Sequence, residues 1–174
     1  MEEHEHKSDR ILQMIKKMRQ EKAVVDVNVK TAKLVVFSLD GELFAFEGRY
    51  VREILIPTEI TFVPGSPDFL LGVINVRGDI ESVAALTVLL GMPSSKSSAK
   101  NRILLAEDSE VRSGVLVESI DDVVDVPVDA IKPPLATING PISQYLLGET
   151  DYRGRNVVVL DLRKLFKRFG TNGR

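Results

Sequence analysis

From Lys33 onward the chain is a series of short branched or aromatic apolar runs, each cut off by a turn carrying glycine or proline. Leu34-Val35-Val36-Phe37-Ser38-Leu39 stops at Asp40-Gly41, a dipeptide that favours the left-handed conformations of a two-residue hairpin turn. Leu43-Phe44-Ala45-Phe46 resumes the strand. Val51 to Ile56 ends at Pro57, and Ile60 to Val63 ends at Pro64-Gly65. Gly72 to Val76 and Asp79 to Val83 flank Arg77-Gly78, a second hairpin signal. Runs this short, spaced this closely, leave no room for alternating helices and strands, and they point to small β-barrels. Pro67 to Leu71 reads as one helical turn, and Ala84 to Leu90 as a short helix closed by Gly91. Pro93 to Lys100, rich in Ser and Lys, reads as an exposed linker.

The second half repeats this grammar: strands over Arg102 to Ala106, Gly114 to Val117, Val123 to Val126 and Asn156 to Leu160, then a basic terminal helix from Asp161 to Phe169. Placing Gly72 on Gly148 also superposes Arg77-Gly78 on Arg153-Gly154, Val83 on Val159, Leu86 on Leu162 and Leu90 on Phe166. Upstream, Leu39-Asp40-Gly41-Glu42 corresponds to Glu107-Asp108-Ser109-Glu110. The apolar positions match better than the identities, as they do when two units build matching cores. The expected organisation is a polar N-terminal extension over residues 1–30, a first β-subdomain over 31–95 and a second over 96–174, with strands free to cross between them. Within the extension, Ile11, Met14, Ile15 and Met18 share one face of a helix that Ser8 can cap. That helix either lies on its own domain or recruits a partner.

Most chemistry is excluded by residue types. There is no cysteine, and the only histidines are His4 and His6 in the polar extension, so no folded histidine can act as base or ligand. No Gly-x-x-x-x-Gly-Lys run is present. The acidic cluster Glu118, Asp121, Asp122 and Asp125 lacks calcium-loop spacing and reads as a solvated face. The cations Arg163, Lys164, Lys167 and Arg168 suit the negative end of the last helix without any ligand. Formal net charge is −2, with 6% aromatic residues and no Trp, which argues against a nucleic-acid groove. No apolar run approaches the ~20 residues of a bilayer span, and the charged first ten residues have no signal-like apolar core, so a cytoplasmic protein is expected. A hydrolase would need two carboxylates on facing loops, an arrangement that spacing does not reveal.

Four segments, in order, resemble one family. They are Phe37 to Phe46 followed by Val51-Arg52-Glu53-Ile54-Leu55; Ile60 to Phe69; Leu71-Gly72-Val73-Ile74-Asn75-Val76-Arg77-Gly78; and Val157 to Leu165. Together they are similar to the CheW family of chemotaxis coupling proteins, over about Lys33 to Phe169. The resemblance implies a mostly β fold of two packed SH3-like barrels with short helices. It also implies no catalysis and no cofactor or metal. The implied partners are the regulatory domain of a CheA-type histidine kinase and the cytoplasmic hairpin tip of a methyl-accepting chemoreceptor, in arrays at the inner membrane face that self-associate into rings. Carried onto this chain, it places Arg77 and Glu53 as a polar pair beside a receptor groove lined by Val51 and Ile54, with Ile120 and Val123 as its second wall. Val35, Gly48 and Val51 fall on the implied kinase-facing surface. A turn residue structurally paired to Glu53 is an equally good account of Arg77, and the two roles are compatible.

Two departures stand out. The family usually reads Pro-Val-Ile-Asp-Leu-Arg after the Arg-Gly turn, whereas this chain reads Ser82-Val83-Ala84-Ala85-Leu86-Thr87. Gly48 replaces a branched apolar residue on the kinase-facing surface. Both allow a divergent paralogue, serving a specialised pathway such as pili or gliding or binding another protein.

Overall fold

Alternation in the strands explains why they read as continuous apolar runs. The computed structural model describes Gln13, residues 29–94 and residues 97–170. The chain divides into Met1–Thr31 and Ala32–Arg174, and the ladders below belong to the second unit. The helix expected from Ser8 falls outside the described residues, Gln13 excepted, as do His4 and His6. In β1 (Thr31–Leu39) and β2 (Glu42–Glu47), Leu34, Val36, Leu43 and Ala45 enter one core while Val35, Phe37, Phe44 and Phe46 enter another. Both faces are buried, so the usual apolar–polar rhythm disappears. The turn between them has φ of 49° at Asp40 and 80° at Gly41, the left-handed pair that a tight hairpin requires.

The remaining elements are β3 (Val51–Leu55), β4 (Leu70–Val76), β5 (Asp79–Ala85), α1 (Leu86–Leu90), β6 (Arg102–Glu107), β7 (Arg112–Val117), β8 (Ser119–Pro127), β9 (Leu146–Tyr152), β10 (Arg155–Leu160) and α2 (Leu162–Gly170). They form two five-stranded sheets, ordered β8-β1-β2-β10-β9 and β3-β6-β7-β5-β4. Replacing each of β1 to β5 by its counterpart five strands later converts one order into the other. The repeat seen in the sequence is therefore a repeat of topology. Each sheet takes strands from both halves, so neither 31–95 nor 96–174 contains a whole sheet. The chain leaves the first sheet through the 3-10 turn Gly48–Tyr50 and returns at Glu118, between β7 and β8. At the centre of each sheet a parallel pair joins the halves, β2 with β10 and β5 with β7.

The resulting fold is mostly β, with two sheets and few helices. Closed barrels are not formed: among the described residues no ladder joins β3 to β4 or β8 to β9. Each sheet instead curls around a small core of its own. Ile74, Val76, Val83 and Ile103 fill the second sheet, and Leu34, Val36, Val157 and Val159 the first. A third and largest core, including Phe37, Phe46, Leu104, Leu160 and Phe166, gathers side chains from both sheets and both helices.

Pro67 to Leu71 is not a helical turn: the chain turns at Asp68-Phe69 and enters β4 at Leu70, because the amide of Leu70 already bonds the carbonyl of Pro67 and the rest of the run pairs with β5. Ile60 to Val63 shrinks to a single bridge, Thr61 with Val73. That bridge has a counterpart between Lys132 and Glu149. Both need glycine beside them. A Cβ on Gly72, at φ 146°, would collide with the carbonyl oxygen of Thr61, and one on Gly148 would lie 2.6 Å from that of Lys132.

The two helices begin differently. Asp161 precedes α2, and its carboxylate accepts the amide of Arg163 at 3.0 Å and that of Lys164 at 3.4 Å. At the matching position before α1 stands Ala85, which offers no side-chain cap. The loss of Asp noted in the sequence is thus the loss of a helix cap, and α1 spans five residues against nine in α2.

Three outcomes are expected. Gly72→Ala should lower unfolding free energy by about 3 kcal/mol in urea titrations, since backbone must move. Gly41→Ala, with open space around the Cβ, should lose only about 1 kcal/mol. Asp161→Ala should remove about 1 kcal/mol, read as a fall in Tm of a few degrees. Residues 31–95 and 96–174 expressed separately should each lack the dispersed amide spectrum of a folded domain and regain it on mixing.

Candidate functional site

The Arg77-Gly78 turn repeats the backbone of the first hairpin, with φ of 55° and 99°. Its shape is reinforced by Asn75, whose Oδ1 accepts the Gly78 amide at 2.8 Å. This conformation turns the Arg77 guanidinium toward β3, at the opposite edge of the sheet. There it donates to both oxygens of Glu53, Nη2 to Oε1 at 2.6 Å and Nη1 to Oε2 at 3.1 Å. The fork geometry is the one that makes arginine the preferred partner of a carboxylate. Curling of the sheet, and not sequence proximity, brings the two residues together.

The opposite sheet carries a looser version of the same device. Arg153, at φ 53°, donates to Asp122 of β8 at 3.3 Å and lies 4.9 Å over the Tyr152 ring. The Tyr152 hydroxyl donates to the same carboxylate oxygen at 2.7 Å. That hydrogen bond, with the Val123 amide and the charge of Arg153, holds the Asp122 carboxyl below its ordinary range; the same bond pushes the Tyr152 phenol up.

The residues singled out in the sequence fall into three groups. Arg77 and Glu53 are joined as described. Val51 and Ile120 are half-buried and pack against the shared central core from different sheets. Ile54 is 40% exposed on β3 and Val123 45% exposed on β8, so both present apolar surface. The structure describes no bond linking the β3 residues to the β8 residues.

Val35 does not belong on a surface. It is 4% exposed within the central core, because odd-numbered residues of β1 point inward between the sheets. Gly48 opens the turn that carries the chain between sheets, and a Cβ there would approach Lys33 Cγ at 3.0 Å. A branched side chain would displace that lysine stem, which accounts for the glycine. The neighbourhood of Gly48 nevertheless holds a cluster the sequence did not reveal. Arg49 pairs with Glu47 at 2.9 Å and lies 4.9 Å over Tyr50, while Arg163 approaches the other side of this group at 6.0 Å from the same ring. Glu47 raises the Arg49 guanidinium, and Asp161 that of Arg163, each mainly through a hydrogen bond. Arg163 comes from α2, far along the chain, so only a non-local contact could have exposed this grouping.

No group of three or more His, Cys, Asp or Glu among the described residues is arranged to hold a metal ion. No helix among them is long and apolar enough to cross a membrane.

Comparison with known proteins agrees with this arrangement. The family model described as "CheW-like domain" matches residues 33–169. A probable chemotaxis protein CheW of Rhizobium etli is 29% identical over 144 residues, covering 83% of this chain and 93% of that protein. The chemotaxis protein CheW of Thermotoga maritima is 27% identical over 139 residues, covering 80% and 90%. The crystal structure of scaffolding protein TtCheW from Thermoanaerobacter tengcongensis superposes with a TM-score of 0.69 at 27% identity, covering 79% of this chain and 88% of that one. With a family model matching both sheets and both helices, the chain belongs to the CheW-like domain family.

Proposed function

We propose that this chain is a non-catalytic coupling scaffold that joins methyl-accepting chemoreceptors to a CheA-type histidine kinase within a chemosensory array. The observation that carries this reading is the exposed Arg77–Glu53 pair on a rigid turn beside the exposed Ile54. A charged fork that fixes register, next to apolar surface, is what a helical hairpin tip needs from a docking face. The chemotaxis names of the relatives and the scaffold role named for the solved neighbour support it. Val51, Ile120 and Val123 complete the proposed receptor groove. Gly48 and Val51, together with the Arg49–Tyr50 cluster, form the proposed kinase-facing surface; Val35 contributes packing beneath it. The two curled sheets act as SH3-like barrels, and ring-type self-association at the inner membrane face follows the family pattern.

A second reading is favoured by one observation. Ala85 and Thr87 stand where the other half keeps Asp161 and Arg163, so the first helix lacks the cap and cation of its counterpart. A chain altered there fits a paralogue dedicated to a specialised chemosensory pathway, such as pilus or gliding control.

Arg77→Ala tests the main reading. The Arg77 side chain is 78% exposed, and such pairs contribute about 0–1 kcal/mol to stability, so the variant should remain folded. Titration calorimetry with a receptor cytoplasmic fragment should show affinity lowered about tenfold, a rim-charge loss of the usual size. Affinity for the kinase regulatory domain should stay within about twofold. Absence of binding to both partners by the unaltered chain would overturn the coupling role.

A further inference from the structure

The two halves diverge most between β8 and β9. Residues of β3 and β8 correspond with an offset of 69 (Glu53 with Asp122), and those of β4 and β9 with an offset of 76 (Gly72 with Gly148). The second half therefore holds seven more residues in this connection (76 − 69). The longer connection, rich in proline, forms one wall of a groove of about 970 Å³ beside the first sheet. Its apolar lining includes Val126, Pro133 and Leu135, and Leu135 is 63% exposed. Its rim carries Asp125, Asp129 and Asp151.

This wall is pinned from below by a buried charge. Glu149 is 8% exposed, and its counterpart in the first half is Val73. One carboxylate oxygen of Glu149 accepts the Leu135 amide at 3.2 Å, and the other accepts Asn156 Nδ2 at 3.1 Å. A buried carboxylate committed to holding a surface wall fixes the groove before any partner arrives, which lowers the ordering penalty of binding.

The groove's cations are already engaged, and its carboxylates are not all so. Lys132 Nζ donates to the Asp129 carbonyl at 2.8 Å, and Arg153 pairs with Asp122. Asp125 holds only the exposed Lys33, Asp151 accepts only the Gly154 amide, and the Asp129 carboxylate has no partner among the described residues. An apolar floor beneath unspent negative charge complements a segment bearing both apolar and basic side chains.

We propose that this groove docks an extended basic segment of a partner protein, seating an apolar side chain against Leu135 and Pro133 while Lys or Arg residues reach Asp125, Asp129 and Asp151. The site is separate from the Arg77–Glu53 face and from the Gly48–Tyr50 surface, so it adds a third partner to the proposed scaffold.

The test uses the full chain and fluorescein-labelled decapeptides of alternating Arg and Leu, with an alternating Glu and Leu peptide as counterpart. Fluorescence anisotropy should show the basic probe bound about tenfold more tightly than the acidic one. The double variant Asp125→Asn, Asp129→Asn should weaken the basic probe about fivefold or more, because both side chains sit at the rim. Leu135→Ser should weaken it comparably, while Asp79→Asn, an exposed acid on β5 in the other half, should leave it unchanged. Amide shifts induced by the probe should centre on Leu135, Asp129 and Tyr152. Equal binding of both peptides, equal loss in the Asp79 variant, or shifts centred elsewhere would each overturn the proposal. Receptor and kinase titrations run in parallel report separately on the coupling role.

Discussion

Everything else in this molecule depends on the apolar layer shared by the two sheets. Phe37, Phe46 and Phe166 are each at most 1% exposed within it, and burying side chains of this size contributes roughly 1.5–3 kcal/mol apiece. The layer cannot form from one half of the chain. Phe37 and Phe46 come from the first half, Phe166 and Leu104 from the second, and the parallel ladders β2–β10 and β5–β7 hold the contributing strands in register. Two small curled sheets that would be marginal alone thereby share one core of useful size.

Against that common frame, the differences between the halves become informative. Both sheets keep a hairpin turn whose arginine reaches across to the opposite edge, yet Arg77 is locked to Glu53 by two bonds and Arg153 shares Asp122 with Tyr152. One helix is capped by Asp161; the other starts at Ala85 without a cap. Val73 lies where Glu149 pins a wall. A duplicated scaffold is free to specialise its two ends because the shared core constrains the inward positions and leaves the outward ones open.

The exposed groups form three surfaces of distinct chemistry: a forked ion pair beside Ile54, a cation–aromatic cluster around Tyr50, and an apolar groove with an acidic rim. None of them combines a base, a nucleophile and an oxyanion-type donor. All are suited to holding other proteins in fixed orientation, which is the work of a scaffold.

Much of this was written in local sequence. The Asp-Gly and Arg-Gly dipeptides determined the hairpins, because only residues tolerant of positive φ can close so short a turn. The Gly72–Gly148 correspondence marked both close approaches, because a Cβ at either site meets backbone. Strand β9 was hidden, since Glu149 and Thr150 are buried polar residues whose partners lie elsewhere in the fold. Val35 read as surface for the reverse reason: alternation places it inward only once a second sheet exists to cover it. Sequence alone determined the strand set, the turns and the two-fold repetition, because those follow from φ preferences and side-chain periodicity over a few residues. Only tertiary structure decided which half supplies which strand, that Arg77 meets Glu53 and Arg153 meets Asp122, and where the acidic groove opens. Those outcomes depend on sheet curvature and on contacts between residues far apart in the chain, which no local pattern encodes.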